Sequence, residues 1–112
     1  SDVYKRQNIH TFIVPRGKFP YLERMDLDWD EDKRERTLQE RGLDFVDVAA
    51  ARWDNALTAE DQREEYGERR FVSLVPIQDR LCVVAWCIRG KGLRVISLRK
   101  ANARERKRYE QE

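Results

Sequence analysis

The sequence predicts an α+β domain: two N-terminal helices packed on a small antiparallel sheet of three to four main strands, with a basic helix at the C-terminus. Three observations lead there. Helical patterns come first and strand patterns follow with short connections, the order expected of an antiparallel meander. Leu81–Ile88 is a nearly continuous apolar run, as a strand buried on both faces requires. Arg94–Tyr109, RVISLRKANARERKRY, passes from an apolar strand into a basic helix whose only apolar side chains are Ala101, Ala103 and Tyr109. Such a helix has no stripe to bury, so either the strand it continues from or a charged ligand must hold it.

The elements follow in order. Ser1–Gln7, SDVYKRQ, resembles the in-frame translation of a transposase adapter used in sequencing libraries. Residues 1–24 therefore read as a non-native leader, with Met25 as the natural start and residues 25–112 as one domain. The alternative is an ordinary strand over Thr11–Val14 followed by a Pro/Gly loop. The leader reading takes His10, the only histidine, out of the chemistry. Asp26–Trp29 is a short first strand. Asp30 caps a helix with Glu31 and Asp32 in its first turn, where carboxylates suit the helix dipole. That helix runs to about Glu40 or Arg41, and Gly42 stops it. Leu38 is its only strong apolar residue, so it lies on the surface.

Asp44 caps a second helix. Phe45, Val48, Ala49 and Trp53 fall at helical spacing, which makes this the helix that packs on the sheet, and Asp54-Asn55 ends it. Ala59–Gly67 is acidic and turn-like. Arg70–Val75 is the next strand, Pro76–Asp79 a turn, and Leu81–Ile88 the central strand. Arg89-Gly90-Lys91-Gly92 is a hairpin loop with two glycines for positive φ. Leu93–Leu98 returns, and Asn102 with Glu105 forms a capping box for the last helix.

At 112 residues the chain supports one modest core. Its net charge of +2 hides a polarity. Residues 89–112 carry nine Lys/Arg against three Glu, a net of +6, whereas residues 25–88 carry nine against sixteen, a net of −7. A basic end of this kind suits an anionic ligand. Cys82 and Cys87 lie five apart in one strand, hence on opposite faces, and cannot bridge each other. They read as small buried hydrophobes in a reducing, cytoplasmic setting. No metal-ligand spacing, phosphate loop or nucleophilic triad is present, so no metal and no cofactor is expected. No stretch is apolar enough to span a membrane.

Arginine and lysine dominate the remaining candidates, and they are the residues that hold phosphate oxygens. Arg94 and Arg99 lie on or just after the last strand; Arg104, Arg106, Lys107, Arg108 and Tyr109 follow. An aromatic within a basic run is the mix expected for single-stranded nucleic acid. By strict alternation Leu93, Val95, Ser97 and Arg99 share one face and Arg94, Ile96 and Leu98 the other. Arg94 and Arg99 therefore converge only if the strand bulges or if Arg99 lies past its end, and the second case is expected.

Four motifs together resemble the BrnT family of ribonuclease toxins from bacterial type II toxin–antitoxin modules. They are WDEDK at Trp29–Lys33, the Gly42–Phe45 turn, GERRF at Gly67–Phe71 and RVISLRKA…ERKRYE at Arg94–Glu110. The last is the most specific. The strand Val95-Ile96-Ser97 followed by basic residues and a helix with a tyrosine is also similar to the wider RelE-like superfamily. The resemblance implies a compact toxin that cleaves RNA without metal. It also implies a BrnA-like ribbon-helix-helix antitoxin, bound in a heterotetramer, with DNA reached only through that antitoxin. Departures exist. Glu40-Arg41-Gly42 stands where the family usually has Lys-His-Gly, Glu68-Arg69-Arg70 where it has Glu-Glu-Arg, Val75 where it has Gly, and Cys87-Ile88 where it has Thr-Glu.

RNA cleavage by internal attack needs a base for the 2′-hydroxyl, cations for the charge on phosphorus and an acid for the leaving oxygen. On the resemblance, Arg94 and Arg99 stabilise charge with Lys100 in support, and Glu68 beside Arg70 is the base. Tyr109 is the acid or a stacking platform, and Lys33 is a phosphate ligand or a second base. Arg70, Arg104 and Arg108 join Lys100 in RNA binding. Bland readings stand beside these: a solvated lysine at 33, a surface ion pair at Glu68–Arg70, and a helix-docking role for Tyr109. Two other function classes stay open, a non-catalytic nucleic-acid-binding module and a protein-interaction module.

Overall fold

The computed structural model describes residues 11–14, 26–61, 68–90 and 92–111. Among the described residues six strands form one mixed sheet: β1 (Thr11–Val14), β2 (Asp26–Trp29), β3 (Leu57–Asp61), β4 (Arg70–Ile77), β5 (Arg80–Arg89) and β6 (Gly92–Lys100). Their order across the sheet is β1-β3-β4-β5-β6-β2. Helix α1 (Glu31–Arg41) follows β2, and helix α2 (Ala103–Gln111) follows β6. The α+β class holds, with more strands than the three to four expected. Ser1–His10, Met25, Gly67 and Lys91 lie outside the described residues.

Three expectations are corrected. The sheet is not wholly antiparallel, because β2 runs parallel to β6, from Asp26 beside Gly92 to Trp29 beside Val95. The turn-like reading of Ala59–Gly67 misses β3, which pairs with β4 from Leu57–Leu74 to Asp61–Arg70. The second helix is not α-helical. Phe45–Ala50 is a 3₁₀ helix capped by the Asp44 side chain on the Val46 amide, and Trp53–Asn55 is a second 3₁₀ turn. Ala51 between them is extended, which breaks the helix. The 3₁₀ period of three residues still places Phe45 and Val48 on one side, and both are fully buried.

The caps of α1 form as its sequence suggests. The Asp30 side chain accepts from the Asp32 amide, and Gly42 closes the helix at φ 69°. No residue of α1 is buried. Among the described residues of the β5–β6 hairpin only Gly90 has positive φ. Gly92 serves a different end: a β-carbon there would stand 3.0 Å from the Asp26 carbonyl, so its absence lets β2 pair.

The main core lies on one face of the sheet. Trp86, Phe71, Val84, Leu93, Val95 and Leu98 meet Phe45, Val48 and Trp53 from the 3₁₀ segments. Trp86 stacks on Phe71 at 4.5 Å between ring centroids and meets Trp53 edge-on at 5.8 Å. Its indole N–H donates to the Ser73 hydroxyl at 2.8 Å, and that hydroxyl also bonds the Thr58 hydroxyl at 2.7 Å. A smaller cluster of Leu57, Leu74, Val83 and Ala101 lies on the opposite face under α2, with Tyr109 packed against it.

β6 contains the irregularity that decides the site. Trp86 pairs with Val95 but Ala85 pairs with Ser97, so Ile96 is an extra residue in β6. This β-bulge reverses the alternation beyond it. Its physical reason is burial: Leu93, Val95 and Leu98 all enter the main core, which strict alternation forbids.

Candidate functional site

Because of the bulge, Arg94, Ser97 and Arg99 all point to the face opposite the main core. The expected cause was otherwise. Arg99 is not past the strand end; it pairs with Val83 inside β6. Arg94 pairs with Cys87, four residues further along β5. The two α-carbons are therefore about 13 Å apart along the strand direction.

Register carries a second arginine onto the same face. Arg70 and Arg94 both pair with Cys87, from β4 and β6 respectively. Two strand spacings separate them, about 10 Å. Cys87 between them is buried, and burial first, then the nearby Glu68 carboxylate, pushes its thiol pKa up. The neighbouring row of this face, Ala59, Val72, Ala85 and Ser97, is half-buried, and α2 covers the row beyond it.

Each arginine of this face is met by a carboxylate. Arg94 pairs with Asp28 on β2, its parallel neighbour. Glu68 lies between two guanidinium groups, 4.0 Å from Arg70 Nη2 and 3.5 Å from Arg89 Nε. Arg99 makes a bidentate pair with Glu105, Nη1 to Oε1 at 2.8 Å and Nη2 to Oε2 at 2.7 Å. Glu105 is also the anchor of the α2 capping box: its Oε1 accepts from the Asn102 amide at 2.9 Å, and its own amide donates to Asn102 Oδ1 at 2.8 Å. Burial acts to raise the Glu105 pKa, but the Arg99 and Asn102 hydrogen bonds outweigh it and hold the carboxyl below its ordinary value.

The other candidates divide. Tyr109 docks α2, with its hydroxyl donating to the Asn55 carbonyl at 2.7 Å and its ring against the second cluster. Arg108 is half-buried on the same side of α2 as Glu105 and Tyr109, while Arg104 is exposed. Lys100 pairs with Cys82, whose side chain enters the main core, so it projects to the face opposite Arg99 and does not support it. Lys33 is exposed in the first turn of α1, and no described contact joins it to Arg94 or Arg99. Tyr109→Phe is expected to cost about 1 kcal/mol in urea unfolding, the net worth of one hydrogen bond.

Four participants escaped sequence reasoning: Asp28, Arg41, Arg89 and Glu105. The capping box was legible, but not that Arg99 turns toward it. Arg41 donates from Nη1 to the Leu98 carbonyl at 2.8 Å, on the stretch of β6 that β2 does not reach. A large donor at this position was visible in Glu40-Arg41-Gly42, with nothing to name its target. Among the described residues no three His, Cys, Asp or Glu side chains converge as a metal site would need. No helix among them is long and apolar enough to cross a membrane.

A family model described as the ribonuclease toxin BrnT of type II toxin–antitoxin systems matches residues 29–105. The match runs from Trp29, the last residue of β2, into the first turn of α2, and so includes α1 and β3 to β6 with Arg70, Arg94, Arg99 and Glu105, but not Asp28. No curated protein matches the chain.

Proposed function

The chain belongs to the BrnT family of ribonuclease toxins of type II toxin–antitoxin systems, and from that premise we propose that it is a metal-independent endoribonuclease acting in the cytoplasm. A BrnA-like ribbon-helix-helix antitoxin neutralises it in a heterotetramer and alone contacts DNA. The observation that carries the reading is the β6 bulge, which sets Arg94 and Arg99 on the one face opposite the main core, with Arg70 across Cys87.

In the proposed reaction the 2′-hydroxyl attacks the adjacent phosphorus. A P–O bond forms, the bond to the 5′-oxygen breaks, and a 2′,3′-cyclic phosphate and a 5′-hydroxyl result. Glu68 takes the 2′-hydroxyl proton, held in place by Arg70 and Arg89. Arg94 and Arg70, about 10 Å apart at their α-carbons, reach in from both sides to the equatorial oxygens. Arg99 holds a neighbouring phosphate. Arg104 and Arg108 extend the cationic track along α2. Tyr109 acts as the acid if its hydroxyl leaves the Asn55 carbonyl; otherwise a solvent water protonates the departing 5′-oxygen. Lys33 serves as an outlying phosphate contact.

Induced expression is expected to arrest growth, and the purified protein to shorten RNA in excess chelator. Tight RNA binding with the RNA left intact would mark a non-catalytic binding module, and neither effect a protein-interaction module. Tyr109→Phe sorts the two roles of that residue: retained cleavage makes it an anchor, and about a hundredfold loss of kcat makes it the acid.

The unit of function is proposed to be residues 25–112. β1 pairs with β3 at the sheet edge remote from β6. Removing residues 1–24 exposes that edge and is expected to lower Tm by a few degrees while cleavage persists. Loss of cleavage in a folded truncation would sink this boundary.

A further inference from the structure

We infer that Glu105 is a built-in competitor of the RNA phosphate at Arg99, seated where the phosphate must bind and held there by the α2 capping box. The inference rests on the ribonuclease reading above and concerns the regulation of that same site.

The geometry is that of a substituted ligand. Arg99 spends both Nη groups on the two oxygens of Glu105 at 2.8 and 2.7 Å, and its Nη1 also reaches the Lys100 carbonyl at 3.3 Å. This fork is the arrangement a guanidinium offers to two phosphate oxygens. The two partners differ in exposure. The Arg99 side chain is 44% exposed and that of Glu105 only 12%. The cation can therefore turn outward to a ligand while the carboxylate stays behind. Glu105 does not depend on Arg99 alone for its place, because the Asn102 amide donates to it and Asn102 Oδ1 accepts from its amide. Release of Arg99 thus leaves α2 capped.

Exchange of one anion for another at Arg99 makes RNA binding weaker than the arginine count suggests. A phosphate gains the fork only after Glu105 yields it, and the displaced carboxylate then repels the incoming phosphate. Glu105 also holds the Arg99 guanidinium in one place when no RNA is bound, so it acts as a positioning residue rather than a catalytic one.

The test uses Glu105→Gln, because glutamine satisfies a capping box as glutamate does. Binding of a short, non-cleavable 2′-O-methyl oligoribonucleotide is measured over a range of salt. The variant is expected to bind about tenfold tighter than the unaltered protein at moderate salt. Its log K against log salt should steepen by about 0.7, the release of one further counterion from a single strand. The gain should vanish in the double variant Arg99→Gln/Glu105→Gln. Affinity and slope equal to those of the unaltered protein, or weaker binding, would overturn the inference. Should E105Q fail to fold, the unaltered chain is titrated with the same oligonucleotide while the Glu105 carboxyl ¹³C resonance is followed. A shift on saturation supports displacement, and a fixed resonance overturns it. The two readings fail separately: no oligonucleotide binding by the unaltered protein defeats the ribonuclease reading and this one with it. Binding that Arg99→Ala weakens but Glu105→Gln leaves unchanged defeats only this one.

Discussion

Arg99→Ala is expected to abolish growth arrest and to lower the rate of RNA cleavage about 10²- to 10³-fold, while the protein stays folded. The rate figure follows from losing the cation that holds the neighbouring phosphate and so registers the reacting one between Arg94 and Arg70. The fold should survive for three reasons. Arg99 is an exposed member of its pair, and exposed ion pairs contribute about 1 kcal/mol or less. Glu105 keeps its two capping-box hydrogen bonds with Asn102. The strand itself is fixed by Leu98 and Val95 in the core, not by Arg99. The experiment needs both toxicity in cells and an unfolding curve. A variant that unfolds normally and remains fully toxic would move the site elsewhere on the protein.

Trp86→Ala should have the largest effect on stability, about 3–5 kcal/mol. Trp86 is fully buried at the centre of the main core, between the stacked Phe71 ring and the edge of Trp53. Truncation opens a cavity walled by three elements, β4, β5 and the second 3₁₀ turn, which cannot all collapse into it. It also removes the donor to Ser73, a hydroxyl with no access to water. Against a total of 5–15 kcal/mol for a small domain, the loss brings the variant close to unfolding at ambient temperature. Trp86→Phe separates the two contributions: it keeps a ring on Phe71 and drops the indole N–H, and should cost about 1–3 kcal/mol. Urea midpoints at unchanged m-value measure both. A loss below about 1 kcal/mol for the alanine variant would mean that the core is held chiefly by other contacts.

How much of this was legible in the sequence depends on which physical signal each segment carries. Leu81–Ile88 announced the central strand because a strand between two others must be apolar on both faces. Asp30, Gly42, Asp44 and the Asn102–Glu105 pair announced their caps, because capping is local chemistry between residues two to four apart. β3 escaped because Ala59, Glu60 and Asp61 are only half-buried, where polarity is tolerated, and Thr58, though buried, is satisfied by the Ser73 hydroxyl. The parallel pairing of β2 escaped because four residues of alternating acid and apolar character say nothing of direction. The 3₁₀ segments escaped because Phe45, Val48 and Trp53 satisfy helical spacing without extending a helix. At the site, the residue types were readable and their grouping was not. Arg94 and Arg99 stood out as cations on a buried strand, yet alternation put them on opposite faces. Lys100 and Lys33 stood out equally and lie apart from them. Which carboxylate meets which arginine is decided by strand order, a long-range property that no local pattern encodes.

The extra residue at Ile96 means that β6 is written in two phases. Before it, odd-numbered side chains enter the core; after it, even-numbered ones do. A change of chain length is therefore not equivalent from one strand to the next. Deleting Ile96 removes the residue that lacks a partner, so Leu93, Val95 and Leu98 remain inside and Arg94 and Arg99 remain outside. Deleting Ala85 from β5, a strand in one phase throughout, turns Val84 or Trp86 out of the core. Thermal unfolding is expected to show a cooperative transition for the first deletion and none for the second. By the same reasoning the spacing between Arg94 and Arg99 is the adjustable quantity of this face: one residue can be gained or lost between them while both arginines keep their side of the sheet.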